Sequence, residues 1–180
     1  AQALVKLTLE PEWEARFEKN SYGFRPGRSA HDAIEAIFLT IKQKAKYVLD
    51  ADIAKCFDRI NQKALVTKLQ TFPTFRRAIN AWLKAGVVDT EDLYPTTAGV
   101  PQGGVSSPLL MNIALHGLET AITTAYPNTT VVRYADDLVA LHPDLATIQQ
   151  VQQAISDWLA EMGLELKPSK TCITHTLNQH

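Results

Sequence analysis

Apolar residues recur three and four apart over much of the chain, and elsewhere they gather in short runs bounded by glycine, proline and aspartate. Ala30, Ala33, Ile34, Ile37, Phe38, Ile41 and Ala45 have the spacing of one buried helix face, with Ser29 or a neighbour as N-cap. The same period predicts helices over 62–70 and 74–84. A further helix is opened by Ser106 or Ser107 with Pro108 and ends before Pro127, and a last one runs from Leu145 to a stop at Gly163. Ahead of Ser29 the chain opens as if inside a helix. A short second helix over 11–18 and a polar loop over 20–27 follow. Residues 47–53 read as a strand ending at Ala54 and Lys55, and 86–100 as a hairpin. The apolar runs 131–134 and 138–141 flank Ala135, Asp136 and Asp137 as a tight hairpin with acids at its tip. A strand, a turn at Pro168 and a strand through Cys172 to Thr174 complete the sheet.

A chain of 180 residues, 46% apolar and 21% charged, buries roughly 70% of its unfolded surface and needs no disulfide staples. No apolar stretch approaches the roughly 20 residues of a membrane span, and nothing at the start has the form of a signal sequence. Cys56 and Cys172 are the only cysteines and form no Cys-x-x-Cys pair, so neither a disulfide scaffold nor a zinc knuckle has a ligand set. A cytoplasmic location is the expectation. The net charge of −1 speaks, taken alone, against a nucleic-acid partner. Its distribution does not. Residues 1–90 hold 15 Lys/Arg against 10 Asp/Glu, giving +5, and residues 91–180 hold 3 against 9, giving −6.

Two acid clusters end apolar strands: Asp50, Asp52 and Asp58 in the first, Asp136 and Asp137 in the second. Either cluster alone reads first as turn chemistry. Taken together, with the hairpin beside the strand that carries Asp52, their carboxylates converge at one sheet edge. Crowded like charges call for a cation. Mg²⁺ suits hard oxygen ligands completed by substrate phosphates, and two such ions can assist an in-line phosphoryl displacement. Cys56 reads as a small buried side chain, and the five histidines form no metal-spaced pair.

Five segments carry a resemblance. They are 22–34 (Tyr-Gly-Phe-Arg-Pro-Gly-Arg-Ser-Ala-His-Asp-Ala-Ile), 52–58, 99–110 (Gly-Val-Pro-Gln-Gly-Gly-Val-Ser-Ser-Pro-Leu-Leu), 134–137 (Tyr-Ala-Asp-Asp) and 164–171. In that order and spacing they resemble the successive blocks of reverse transcriptases, in detail those of group II intron maturases. The resemblance implies an α+β fold, a polymerase palm with a small antiparallel sheet packed on helices plus part of the fingers. It implies metal binding and catalysis by Asp52, Asp136 and Asp137, with the backbone carbonyl of Ile53 as an extra ligand for two Mg²⁺, or Mn²⁺ in their place. Phe57 matches the bulky residue that excludes a 2′-hydroxyl by clash, Gln102 and Gly103 the nucleotide pocket, Tyr134 a residue near the primer terminus, and Lys170 a lysine near the triphosphate. Read as plain sequence, Phe57 and Tyr134 also suit a core, and Lys170 a solvated surface. Arg25 and Arg28 match positions close to template RNA, although Arg25 equally suits a brace for its own loop.

The implied partners are an intron RNA template, a DNA primer and deoxynucleoside triphosphates, with no membrane. The parent's implied work includes intron splicing and mobility. Residues 1–48 are expected to be part of the fingers and 49–180 the palm. An earlier fingers block and a helical thumb cannot be located, so the chain is expected to be a fragment, weakly active or inactive by itself. Retron, diversity-generating and CRISPR-associated reverse transcriptases share these palm blocks. A palm-type nucleotide cyclase leaves Phe57 and the Pro-Gln-Gly-Gly block unexplained, and a non-catalytic RNA-binding splicing module is a further alternative.

Overall fold

Leu49 and Ala51 alternate with Val48, Asp50 and Asp52, and in the computed structural model the first pair is buried while the acids face away from the core. The structure describes residues 2–42, 44–85, 87–89, 92–94, 98–101 and 103–177. The chain runs α1 (Gln2–Glu14), α2 (Ala30–Ile41), β1 (Tyr47–Asp52), α3 (Cys56–Arg59), α4 (Gln62–Leu69), α5 (Pro73–Lys84), β2 (Val87–Asp89) and β3 (Asp92–Tyr94). It continues through α6 (Ser107–Leu115), α7 (Leu118–Ala125), β4 (Thr130–Tyr134), β5 (Asp137–His142), α8 (Leu145–Glu161), a 3-10 turn (Pro168–Lys170) and β6 (Cys172–His175). Four strands form one antiparallel sheet in the order β4-β5-β1-β6, and β2 pairs with β3 as a separate hairpin. One apolar core runs from Val5 and Trp13 of α1 through Leu49, Met111 and Leu138 to Leu159 and Leu164. The α+β palm architecture expected from the sequence is the one found.

Local chemistry explains most of the boundaries. Ser29 caps α2 in a reciprocal box with Asp32, and the Asp144 side chain accepts from the Thr147 amide to start α8. Four expectations differ. The helix break at Pro11 is absent, because α1 passes through it. The amide proline lacks would have bonded the carbonyl of Leu7, a residue two-thirds exposed, where solvent can take its place. The single helix over 107–126 is instead α6 and α7, parted at Gly117 with φ +98°. The strand before Pro168 is reduced to one bridge, Ile53 to Leu166.

The fourth difference is α2, whose apolar spacing predicts a buried face. Only Ala33 is buried there. Ala36 and Ile37 pack on Tyr22 and Val132, while Ile34 and Phe38 are 62% and 58% exposed. Helical periodicity reports an apolar stripe, and a single outer strand covers only part of its width.

The loop between α1 and α2 lies across the β4–β5 hairpin. Ser21 bridges to Arg133, the Tyr22 amide donates to Arg133 O at 2.9 Å, and the Arg133 amide donates to Asn20 O at 2.8 Å. Gly23 then sits flat on the hairpin turn, where an added Cβ would meet Ala135 Cα at 2.8 Å. Since both partners are main chain, neither yields cheaply. Gly23→Ala is expected to lower the stability by about 1 to 3 kcal/mol through overpacking. A denaturant midpoint equal to that of the wild type would contradict this packing.

Candidate active site

Asp52 and Asp137 stand directly across from each other in the β1–β5 ladder. Leu49, Ala51, Leu138 and Ala140 of the same strands belong to the core, so alternation puts both acids on the other face. Asp136 occupies the hairpin turn beside them, and its carbonyl accepts from the Ile53 amide at 3.1 Å. That turn has a positive φ, +57°, at Ala135 and not at Asp136, the pattern of a type II′ turn in which glycine usually holds the first position. The carboxylates expected to converge are thus brought to one place by a register and a two-residue turn.

An open cleft of about 640 Å³ adjoins this edge, lined by Asp52 and Asp136 and by the cations Lys55, Arg59 and Lys167. Ile53, fully buried, lies in its wall as well. Lys55 enters with a left-handed backbone, φ +47°, and Arg59 pairs with Glu165 at the rim. A larger cavity of about 1100 Å³ shares Arg59 but has no acid among the described residues of its wall, so the acid pair is associated with the smaller cleft.

Charge crowding and burial act on the same carboxyl here. Partial burial pushes the Asp137 carboxyl above its ordinary 3.8, and Asp136, Asp52 and Asp50 add to that rise against an opposing Lys170. Lys170, on the 3-10 turn, donates from Nζ to Asp52 Oδ2 at 2.6 Å. That hydrogen bond and the Asp52 charge raise the ammonium above its ordinary value. Among the described residues no three acid, histidine or cysteine side chains stand close enough together to hold a metal ion by themselves. The paired carboxylates at an open edge, with one carboxyl held up by burial and then by its acid neighbours, suit a hard divalent cation that keeps waters and takes further oxygens from substrate. Cys56 is no nucleophile, since burial, then Asp136, pushes its thiol up to about 12.

The other sequence-derived positions divide. Phe57, on α3, is half-buried and meets the ring of Phe24 edge to face, centroids 6.2 Å apart. Tyr134 is exposed at the end of β4 and pairs with Asp137 across the turn. Gly103 has φ +81° with open space where a Cβ would stand; Gln102 lies outside the described residues. Arg28 is half-buried, donating to Lys19 O at 2.6 Å with its guanidinium over the Tyr22 ring.

Arg25 is a correction: its guanidinium is turned inward, not toward a nucleic acid. It pairs with Glu14 at 2.8 Å, donates to the carbonyls of Glu18 and Ser21, and lies over the Phe17 ring. With its donors spent on the protein, it braces the loop.

Sequence reasoning passed over Phe24 and Arg133. The exposed Phe24, with φ +58°, is set by the loop's tertiary seat and has no local signal. Arg133 had one, because it shares the parity of Val131 along β4 and therefore points into the core.

Comparison with protein families matches residues 1–179 to "Reverse transcriptase (RNA-dependent DNA polymerase)". The chain belongs to the reverse transcriptase family. Protein YkfC of Escherichia coli (strain K12) is 33% identical to it over 132 residues, covering 69% of this chain and 35% of that protein. Group II intron-encoded protein LtrA of Lactococcus lactis subsp. cremoris is 38% identical over 125 residues, covering 66% and 20% respectively. The matches thus span about a third or less of these relatives' length. The resemblance to group II intron reverse transcriptases read from the five blocks is supported by the family match together with a relative named as group II intron-encoded. Apo telomerase from Candida tropicalis superposes with a TM-score of 0.76 over 97% of this chain and 36% of that one, at 16% identity, a likeness of fold. The family generally uses divalent metals, in keeping with the acid edge. No described helix is long and apolar enough to cross a membrane.

Ionising Asp137 in this setting opposes folding. Its carboxyl holds a proton more tightly in the native state than in the unfolded chain, so stability declines as pH rises from 3.8 through the raised native value. Asp137→Asn is therefore expected to melt above the wild type at pH 7, with the advantage vanishing below pH 3.8. Thermal melts at the two pH values check this, and an Asp137→Asn variant no more stable at pH 7 contradicts it.

Proposed function

We propose that this chain is the catalytic region of a group II intron-type RNA-directed DNA polymerase, joining a primer 3′-hydroxyl to the α-phosphate of a deoxynucleotide opposite an RNA template. The observation that carries the reading is the pairing of Asp52 with Asp137 beside Asp136, at the edge of a cation-rimmed cleft that Asp52 and Asp136 line. Two Mg²⁺ ions, or Mn²⁺ in their place, held by Asp52, Asp136, Asp137 and the Ile53 carbonyl, supply charge neutralisation at the triphosphate and a more acidic primer hydroxyl.

The protein's own residues do the rest. Lys170 reaches the acids from an exposed turn, so its ammonium is placed to exchange its bond with Asp52 for one with the departing pyrophosphate. Phe57, its ring backed by Phe24, presents a rigid edge against a 2′-hydroxyl. The left-handed backbone at Gly103 leaves room for a nucleotide to approach main chain, with Gln102 next to it. Tyr134 offers its exposed ring to the primer end, and Arg28 a guanidinium to the template. Residues 1–48 form the fingers side and 49–180 the palm. By the same likeness the protein assists splicing and insertion of its intron RNA.

The parent protein that carries this chain is expected to extend a DNA primer on an RNA template in Mg²⁺, and Asp136→Ala to abolish extension, while the 180-residue chain alone extends weakly or not at all. Extension by that variant at the wild-type rate would remove the proposed site. Phe57→Ala is expected to admit ribonucleotides, cutting the discrimination against them by at least about 10-fold, since a lost clash is lost specificity. Single-nucleotide incorporation with paired deoxy- and ribonucleotides measures it, and an unchanged ratio would return Phe57 to the core.

A further inference from the structure

A charged side chain buried behind an acid pair, with no carboxylate bonded to it, needs a reason. Arg133 is 4% exposed. Its Nη1 donates to Ala135 O at 2.9 Å and to Asn112 Oδ1 at 3.0 Å, and its Nη2 donates to Ser21 Oγ at 2.6 Å. All three acceptors are neutral. Burial lowers the guanidinium to about 10, which leaves it charged at neutral pH, with the buried Glu18 as the leading source of distant compensation.

We infer that Arg133 is a positioning residue for nucleotidyl transfer: it fixes the turn that carries Asp136 and Asp137 by holding Ala135 O, and ties that turn to α6 and to the 20–28 loop. This rests on the polymerase reading above.

The three bonds reach three separate parts of the fold. Ala135 is the strained residue of the turn, with φ +57°, a conformation that costs on the order of 1 to 3 kcal/mol for a residue with a Cβ and persists only where its surroundings enforce it. Its carbonyl is held from behind by Arg133, and the next carbonyl, of Asp136, by the Ile53 amide. Gly23 closes the front face of the turn. Asn112 of α6 joins back to front, accepting from Arg133 and donating from Nδ2 to Gly23 O at 2.9 Å. Ser21 adds the loop through Arg133 Nη2. A displacement of the loop that carries Arg28 and Phe24 therefore reaches the acid turn through two side chains, Ser21 to Arg133 and Gly23 to Asn112. The planar fork suits this task, because its two terminal nitrogens stand apart and share three acceptors on three elements, whereas an ammonium gathers all its donors on one atom.

Arg133→Lys keeps the charge and removes the fork, and Ser21→Ala removes only the tie to the loop. For folded Arg133→Lys, kcat in primer extension is expected to fall by about 100-fold with KM for the nucleotide within about 3-fold, the pattern of misplaced catalytic groups. Hydrogen exchange at the amides of 135–137 is expected to quicken by about 10-fold as the turn opens locally, with Ser21→Ala shifting both readouts less and in the same direction. A folded Arg133→Lys with wild-type kcat and wild-type exchange overturns the inference. Should Arg133→Lys not fold, Ser21→Ala decides, and unchanged exchange and kcat there overturn it. If the wild-type parent protein extends no primer, the polymerase reading fails, and the exchange rates alone judge whether Arg133 holds the turn.

Discussion

The register between β1 and β5 is the constraint on which the site depends. With side chains alternating at a period of two, a slip of one residue would send Asp52 into the core and bring Ala51 or Ile53 out. Three fully buried partners, Leu49, Ile53 and Leu138, make that slip prohibitive, at roughly 1.5 to 3 kcal/mol per large apolar side chain exposed. The apolar face therefore enforces a polar pairing that by itself is repulsive. The core supplies the stability, and the opposed carboxylates spend a little of it to create a place for a cation.

The hairpin turn raises a similar question at a smaller scale. A left-handed alanine between a tyrosine and two aspartates is unfavourable in isolation, and the surrounding contacts over-determine it. Gly23 leaves no room in front, Arg133 and Ile53 hold the carbonyls behind, and Asn112 joins the two sides. The loop in front is braced in turn by Arg25, inserted between Glu14 of α1 and the carbonyls of Glu18 and Ser21. Two buried arginines thus serve one assembly, one ordering the loop and the other the turn beneath it.

What was legible in the sequence is what local chemistry decides. Ser29 with Asp32, Asp144, Gly163 and the acid-tipped hairpin are set by their immediate neighbours, and the alternation in 47–53 names its own buried face. Meeting of Asp52 with Asp137 could be read from two strand ends and the family order of blocks. What escaped depends on partners distant in sequence. Arg25 and Arg28 are alike on paper, yet Glu14 and Phe17 hold one inside while the other stays out. The face of α2 is apolar over more width than β4 covers, and periodicity carries no information about coverage. The left-handed Phe24 is imposed by where its loop lands.

A near-zero net charge argues against a polyanionic partner only if charge is spread evenly, and here it is not. Residues 91–180 contain three Lys/Arg, and all three stand at the site: Arg133 behind the turn, Lys167 in the cleft wall and Lys170 on Asp52. The basic half adds Lys55 and Arg59 to the same cleft. A nucleotide or strand approaching this edge meets local cations around a small acid pair, and the sum over the chain, dominated by acids elsewhere, does not describe the field it feels. Beyond about 10 Å those other acids are largely screened at ordinary salt, while the groups lining the cleft are not. The charge that matters for function is therefore set by which half-chain residues the fold delivers to the cleft, and the two halves of opposite sign meet there because β1 and β5 come from different ones.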